Sequence, residues 1–299
     1  MTTKKNIVIL STALLIAVGV IAISSIKDVQ ALKPVQSPWG WEVDSSCVNT
    51  SGGYNCNIPV GANTAHALIP DLREAVPQQI GLQNSQQKTT LRISTSIANT
   101  GDGQWQMRSA VPADQQTTQL AKQQLLKSDG TLWAEYAVSQ FEYHPAHKHF
   151  HIADVSSYEL YTASGAGDTT PTTKTGIGSL KVTFCLIDWI KISDNSPNNE
   201  RAYSDCAGQF QGVSPGWMDQ YHQELEGQEL DVTNLRTGYY FIVLTANPAH
   251  TFIEKDFRNN QSWTLIYYNN DDKGNPKLEI LNQSTCIEYP GLCQYSANR

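Results

Sequence analysis

Four of the seven histidines in this 299-residue chain fall within eight residues, in Tyr143-His144-Pro-Ala-His147-Lys-His149-Phe-His151. His147, His149 and His151 stand at i, i+2 and i+4. On an extended strand, side chains two apart share a face, so the three imidazoles follow one another about 6.6 Å apart along one side. They can converge on one metal ion, whereas a helix would splay them around its circumference. Imidazole-only ligation suits copper or zinc, and copper has the higher intrinsic affinity. The plain alternative is a solvated His-rich strand end that traps metal as a tag does. His144 has three readings: a further ligand, a group that orients one, or a turn residue ahead of Pro145.

The elements that must position this cluster read as strands. Residues 91–97 alternate apolar and polar, and residues 133–141 do so more loosely. Residues 149–161, 180–190, 239–247 and 262–268 are rich in β-branched and aromatic side chains. Turn residues separate them at 99–103, 164–167 and 270–274. Residues 115–127 are the best helix candidate, and they are short. The fold class is all-β: a single β-sandwich domain with long functional loops over residues 61–299, preceded by a linker and small Cys-closed loop over 32–60.

Residues 1–31 read as an export segment. Lys4 and Lys5 precede an uncharged apolar run over 7–26, and Val29-Gln30-Ala31 offers a cleavage site. The run is long enough to span a bilayer, so the segment is either a cleaved signal peptide or an uncleaved anchor. Both place the remainder outside the cytoplasm, secreted or anchored through residues 7–26, where disulfides persist. The whole chain carries a net charge of −7, and loss of the segment leaves −9. That acidity excludes a dedicated nucleic-acid binder, which presents a basic face. The 13 Tyr and 7 Trp exclude a disordered chain. Six cysteines without a Cys-x-x-Cys pair argue against a zinc ribbon and allow about 15 disulfide connectivities. Cys47 with Cys56 and Cys286 with Cys293 are natural short-loop bridges.

The histidine segment resembles the copper-binding motif of the lysyl oxidase family, aromatic-His-x-x-His-x-His-aromatic-His. Further blocks follow in the family's order. They are Tyr158-Glu-Leu, Lys181-Val-Thr-Phe184-Cys185-Leu-Ile-Asp188, Cys206, Gln211 through Trp217-Met-Asp219-Gln-Tyr221, Gln228-Glu-Leu-Asp231, Thr237-Gly238-Tyr239, and Glu254-Lys-Asp256-Phe-Arg-Asn259-Asn260. The likeness runs over about residues 69–268.

The resemblance implies a copper amine oxidase whose lysine tyrosylquinone cofactor forms from its own Lys181 and Tyr221. A phenol is oxidised to a quinone, and a deprotonated primary amine adds to the ring. A primary amine, free or a protein lysyl side chain, would then be oxidised to an aldehyde by molecular oxygen, with release of ammonia and hydrogen peroxide. His147, His149 and His151 would be the copper ligands. Asp231 would be a general base or cofactor-orienting carboxylate, or simply a turn acid. Asp71, the Leu72 carbonyl, Glu254, Asp256, Asn259 and Asn260 would form an all-oxygen calcium site. Cys185 and Cys206 would be a bridged pair. The animal enzymes have cysteines where this chain has Ala146 and Gly227, so those braces are missing, and no upstream modules are recognisable. Two other functions compete: a non-catalytic copper- or calcium-binding module, and a zinc hydrolase, for which the histidine motif holds no Glu base.

Overall fold

The β-branched and aromatic runs pair as antiparallel strands. The computed structural model describes residues 48–50, 53–55, 67–85, 87–109, 118–145 and 148–285; for 48–50, 53–55 and 180–182 it describes the backbone only. In chain order the described strands are β1 (Val48–Thr50), β2 (Gly53–Asn55), β3 (Ala67–Leu68), β4 (Leu72–Glu74), β5 (Gln78–Asn84), β6 (Thr89–Asn99), β7 (Trp105–Ser109), β8 (Gln119–Lys127) and β9 (Leu132–His144). There follow β10 (His149–Ala163), β11 (Thr173–Phe184), β12 (Ile190–Lys191), β13 (Phe210–Val213), β14 (Trp217–Tyr221), β15 (Glu229–Asp231), β16 (Gly238–Ala246), β17 (Gln261–Asn270) and β18 (Pro276–Gln283). Among the described residues the only helical element is a 3-10 turn, Phe257–Asn259.

Beyond the β1–β2 pair, the described residues form two sheets. One runs β13-β7-β8-β9-β10-β16-β17-β18, with β11 on β10 and β3 on β8. The other runs β12-β14-β6-β15, with β4 and β5 also on β6. Between them lies one apolar core. Leu72, Ile93 and Ile97 come from the smaller sheet; Trp105, Phe141, Phe150, Tyr158 and Leu244 come from the larger. This is the expected all-β sandwich.

One local expectation is corrected. The helix expected over 115–127 is strand β8 from Gln119 onward, hydrogen-bonded to β7 and β9 on its two sides. Sheet pairing overrides the weak helix propensity of its Gln, Leu and Lys residues. Strand β6, which carries the 91–97 alternation, is buried on both faces. Ser94, Thr95 and Ser96 are fully buried. Strands border β6 on both edges, and hydrogen bonds satisfy the hydroxyls of Ser94 and Thr95, as between Thr95 Oγ1 and Tyr158 Oη at 2.7 Å.

Among the described residues no helix is long and apolar enough to cross a membrane. The expected export segment, Cys47, Cys56, Cys286, Cys293 and His147 lie outside them.

Candidate active site

Strand β9 ends in His144 and β10 begins with His149, and the two residues are register partners. The Lys148 N–H returns to the His144 carbonyl at 2.8 Å, with Lys148 at φ 58°. Phe150 points into the core, with its ring 5.3 Å from Tyr143 and 6.1 Å from Phe141. The period of two therefore turns His149 and His151 to the opposite face. Their Nε2 atoms stand 3.0 Å apart. Two imidazoles bound side by side to one ion at about 2.0 Å would hold their nitrogens roughly 2.8–3.3 Å apart, so the pair fits a shared metal. The His144 ring stacks on His151 with centroids 5.1 Å apart and planes 19° apart. Glu142 is the register partner of His151 and shares its face. Among the described residues no three His, Cys, Asp or Glu side chains meet as a metal cage.

Tyr221 closes β14. That strand starts after Gly216, at φ 76°, where a Cβ would come within 2.9 Å of the Ser196 Cβ, so glycine is required. The Cys185 N–H donates to Tyr221 Oη at 2.7 Å, and the Phe184 ring packs 4.4 Å from the Tyr221 ring. Cys185 is bridged to Cys206 with a Cα–Cα distance of 5.6 Å, as the resemblance implied. The Lys181 backbone belongs to β11, four residues before Cys185, or about 13 Å along an extended chain. The fold thus brings Tyr221 to the strand of Lys181, but to a different point on it.

Behind Tyr221 lies a buried polar network that sequence reasoning missed. Thr95 is the register partner of Tyr221. Its hydroxyl donates to Gln228 Oε1 at 2.8 Å, and Gln228 Nε2 donates to Tyr158 Oη at 3.2 Å. Ser156 donates to the Glu74 carboxyl. Burial pushes Glu74 up to about 8, against the lowering effect of that hydrogen bond. Burial first, and Glu74 second, hold the Tyr158 phenol well above its ordinary range. The one signal for this network was polar residues inside apolar strands. Asp188, quoted above for its motif alone, is buried and accepts the amides of Ala202 and Ser214 at 2.8 and 2.7 Å, pinning the loop that leads to Cys206.

Asp231, read above as a base, a cofactor-orienting carboxylate or a turn acid, lies at a turn. It is exposed, and its carboxylate accepts the Thr233 hydroxyl and amide at 2.6 and 3.0 Å, which lowers its pKa. It pairs with Thr90 on β6, whereas Tyr221 pairs with Thr95, five residues or roughly 17 Å along that strand.

The expected calcium residues do meet. Asp71 Oδ2 accepts Asn259 Nδ2 and Thr100 Oγ1, both at 2.9 Å. Glu254 accepts the Leu72 N–H at 2.9 Å and Asn260 Nδ2 at 2.8 Å. Asp71 Oδ1, Asn259 Oδ1 and Asn260 Oδ1 are buried acceptors with no hydrogen-bond partner among the described residues. Burial pushes Glu254 up to about 8 and raises Asp71 as well. Orphaned carboxylate and amide oxygens are what a hard cation satisfies, so the residues fit calcium. The Asp256 carboxylate is engaged by Arg258, accepting its Nε and N–H at 2.8 and 2.9 Å, which lowers its pKa.

An antiparallel sandwich that sets a His-x-His strand beside a lysine strand and a tethered tyrosine defines a narrow class. Residues 113–275 match the Lysyl oxidase family model, and the chain belongs to the lysyl oxidase family. It is similar to human "Lysyl oxidase homolog 1", 33% identical over 129 residues, covering 43% of this chain and 20% of the relative. It is also similar to "Protein-lysine 6-oxidase" of Sus scrofa, 31% identical over 121 residues, covering 40% of this chain and 44% of the relative. "Lysyl oxidase homolog 3B" of Danio rerio is 30% identical over 119 residues, with 40% and 13% covered. The chain thus spans less than half the length of each of these relatives. The family match includes the histidines, Lys181, Tyr221 and residues 254–260, while Asp71 and Leu72 precede it.

Proposed function

We propose that the chain is a copper-dependent amine oxidase that converts primary amines, free or as peptidyl lysine, to aldehydes, consuming molecular oxygen and water and releasing ammonia and hydrogen peroxide. The observation that carries this reading is the 3.0 Å approach of His149 and His151 Nε2 on the strand paired with that of Lys181. His147, His149 and His151 are the proposed ligands, from the motif spacing. Copper with oxygen would supply the oxidation of Tyr221, and a lysine tyrosylquinone built from Tyr221 and Lys181 would supply the electron sink.

The remaining tasks fall to the protein's own groups. The Cys185 N–H and Phe184 orient the Tyr221 ring. The Lys181 amine must be neutral to act as a nucleophile. Because Tyr221 meets β11 four residues past Lys181, joining them requires the end of β14 to move along β11. Asp231 has no part in this scheme. The name of the porcine relative, protein-lysine 6-oxidase, favours lysyl side chains as substrates.

Calcium is proposed as a structural ion held by Asp71, the Leu72 carbonyl, Glu254, Asn259 and Asn260; Asp256 joins it only by leaving Arg258. The Cys185–Cys206 bridge supports an oxidising, extracytoplasmic location.

The test is peroxide release from a panel of amines, with and without copper reconstitution, together with intact mass. The expected result is copper-dependent peroxide, a visible chromophore and the small mass change of a Lys181–Tyr221 cross-link. Copper-loaded protein in oxygen that yields none of these overturns the reading.

A further inference from the structure

A neutral imidazole that gives one ring nitrogen to a metal carries its proton on the other, and that proton needs an acceptor when the ring is buried. In His151 the edge that meets His149 is Nε2. The opposite atom, Nδ1, lies 3.1 Å from Thr183 Oγ1. His151 is only 6% exposed, which limits water as a substitute partner. β10 and β11 are antiparallel and pair at Ile152 and Phe184, so His151 and Thr183 flank that pair from opposite sides on one face of the sheet and meet diagonally across it.

We propose that Thr183 is a positioning residue of the copper centre: its hydroxyl oxygen accepts the Nδ1 proton of His151 and so fixes the tautomer that leaves the Nε2 lone pair for the metal. This rests on reading His149 and His151 as copper ligands. In the metal-free protein the same arrangement makes His149 Nε2 the donor in the 3.0 Å contact. Thr183 is two residues from Lys181, so one strand sets both a copper ligand and the cofactor lysine.

Thr183→Val removes the acceptor, and Thr183→Ser restores it without the methyl group. Copper(II) alone, titrated into metal-free protein against a competing chelator, reads the effect. Thr183→Val should bind copper about 10- to 100-fold more weakly, and Thr183→Ser should recover to within about threefold of the unaltered protein. Equal affinity of Thr183→Val and the unaltered protein overturns the proposal. So does an equal loss in both variants, which would mark a packing role only. Should Thr183→Val fail to fold, ¹⁵N-histidine NMR of the unaltered metal-free protein decides. Protonated Nδ1 on His151 is expected, and protonated Nε2 overturns the assignment. Failure of the unaltered protein to bind copper sinks the copper reading instead, while the tautomer measurement, which needs no metal, still decides the role of Thr183.

Discussion

The amide of Cys185 donates to the hydroxyl oxygen of Tyr221 across 2.7 Å, and Cys185 is itself covalently tied to Cys206. A disulfide thus holds the backbone donor that holds the phenol. Tyr221 is oriented by covalent structure on one side and by the Phe184 ring against its own.

Tyr221→Phe removes that acceptor and the oxidisable phenol together. The variant should lose about 1 kcal/mol of stability, retain copper, and develop no quinone absorbance. Lys181→Ala should instead give a tyrosine-derived quinone without the cross-link, separable by intact mass. Amine turnover by Tyr221→Phe would refute the cofactor assignment.

Glu74 makes stability depend on pH. Its ordinary value is 4.5, and the folded state raises it to about 8. Below the lower value both states hold the proton. Between the two the unfolded chain releases it and the folded chain keeps it, so stability declines as pH rises and the loss is complete above the higher value. Glu74→Gln should remove that part of the decline, of order a few kcal/mol. Urea midpoints from about pH 5 to about pH 8.5 read this directly, and an unchanged slope would rule it out.

Calcium should raise the unfolding temperature, since a ligand at about 100 times its dissociation constant adds roughly 2.7 kcal/mol. Asn259→Ala, which deletes one orphaned oxygen, should blunt that gain while leaving copper binding intact. Calorimetry with calcium or with a chelator checks both halves. A calcium response equal to that of the unaltered protein would remove Asn259 from the site.

Asp231→Asn should leave peroxide production within about twofold and cost under about 1 kcal/mol, because its carboxylate serves a surface turn at Thr233. A loss of a hundredfold or more in kcat would restore it to the chemistry.

Much of this was legible in the residues. The period of two placed His149 and His151 on one face, and the strand-rich composition gave the sandwich. Three features were hidden for physical reasons. The strand at Gln119–Lys127 has a sequence that suits a helix, and only its two neighbours decide otherwise. The network of Glu74, Ser156, Thr95, Tyr158 and Gln228 assembles residues from both sheets, and no local pattern marks them. The turn at Asp231 was hidden because an acid two residues before a threonine looks the same in a motif whether it faces a substrate or caps a turn.

The clasp at Asp71, Leu72, Glu254 and Asn259 joins positions 182 to 188 residues apart. It also sets an order of events in synthesis. At about 5–20 residues per second, the Leu72 amide waits roughly 9–36 s before Glu254 has even been made. Strand β4 can pair early with β6, which follows it closely in the chain, but its contact with Glu254 must wait. A cation bound there would therefore report that segments far apart in the chain have come together.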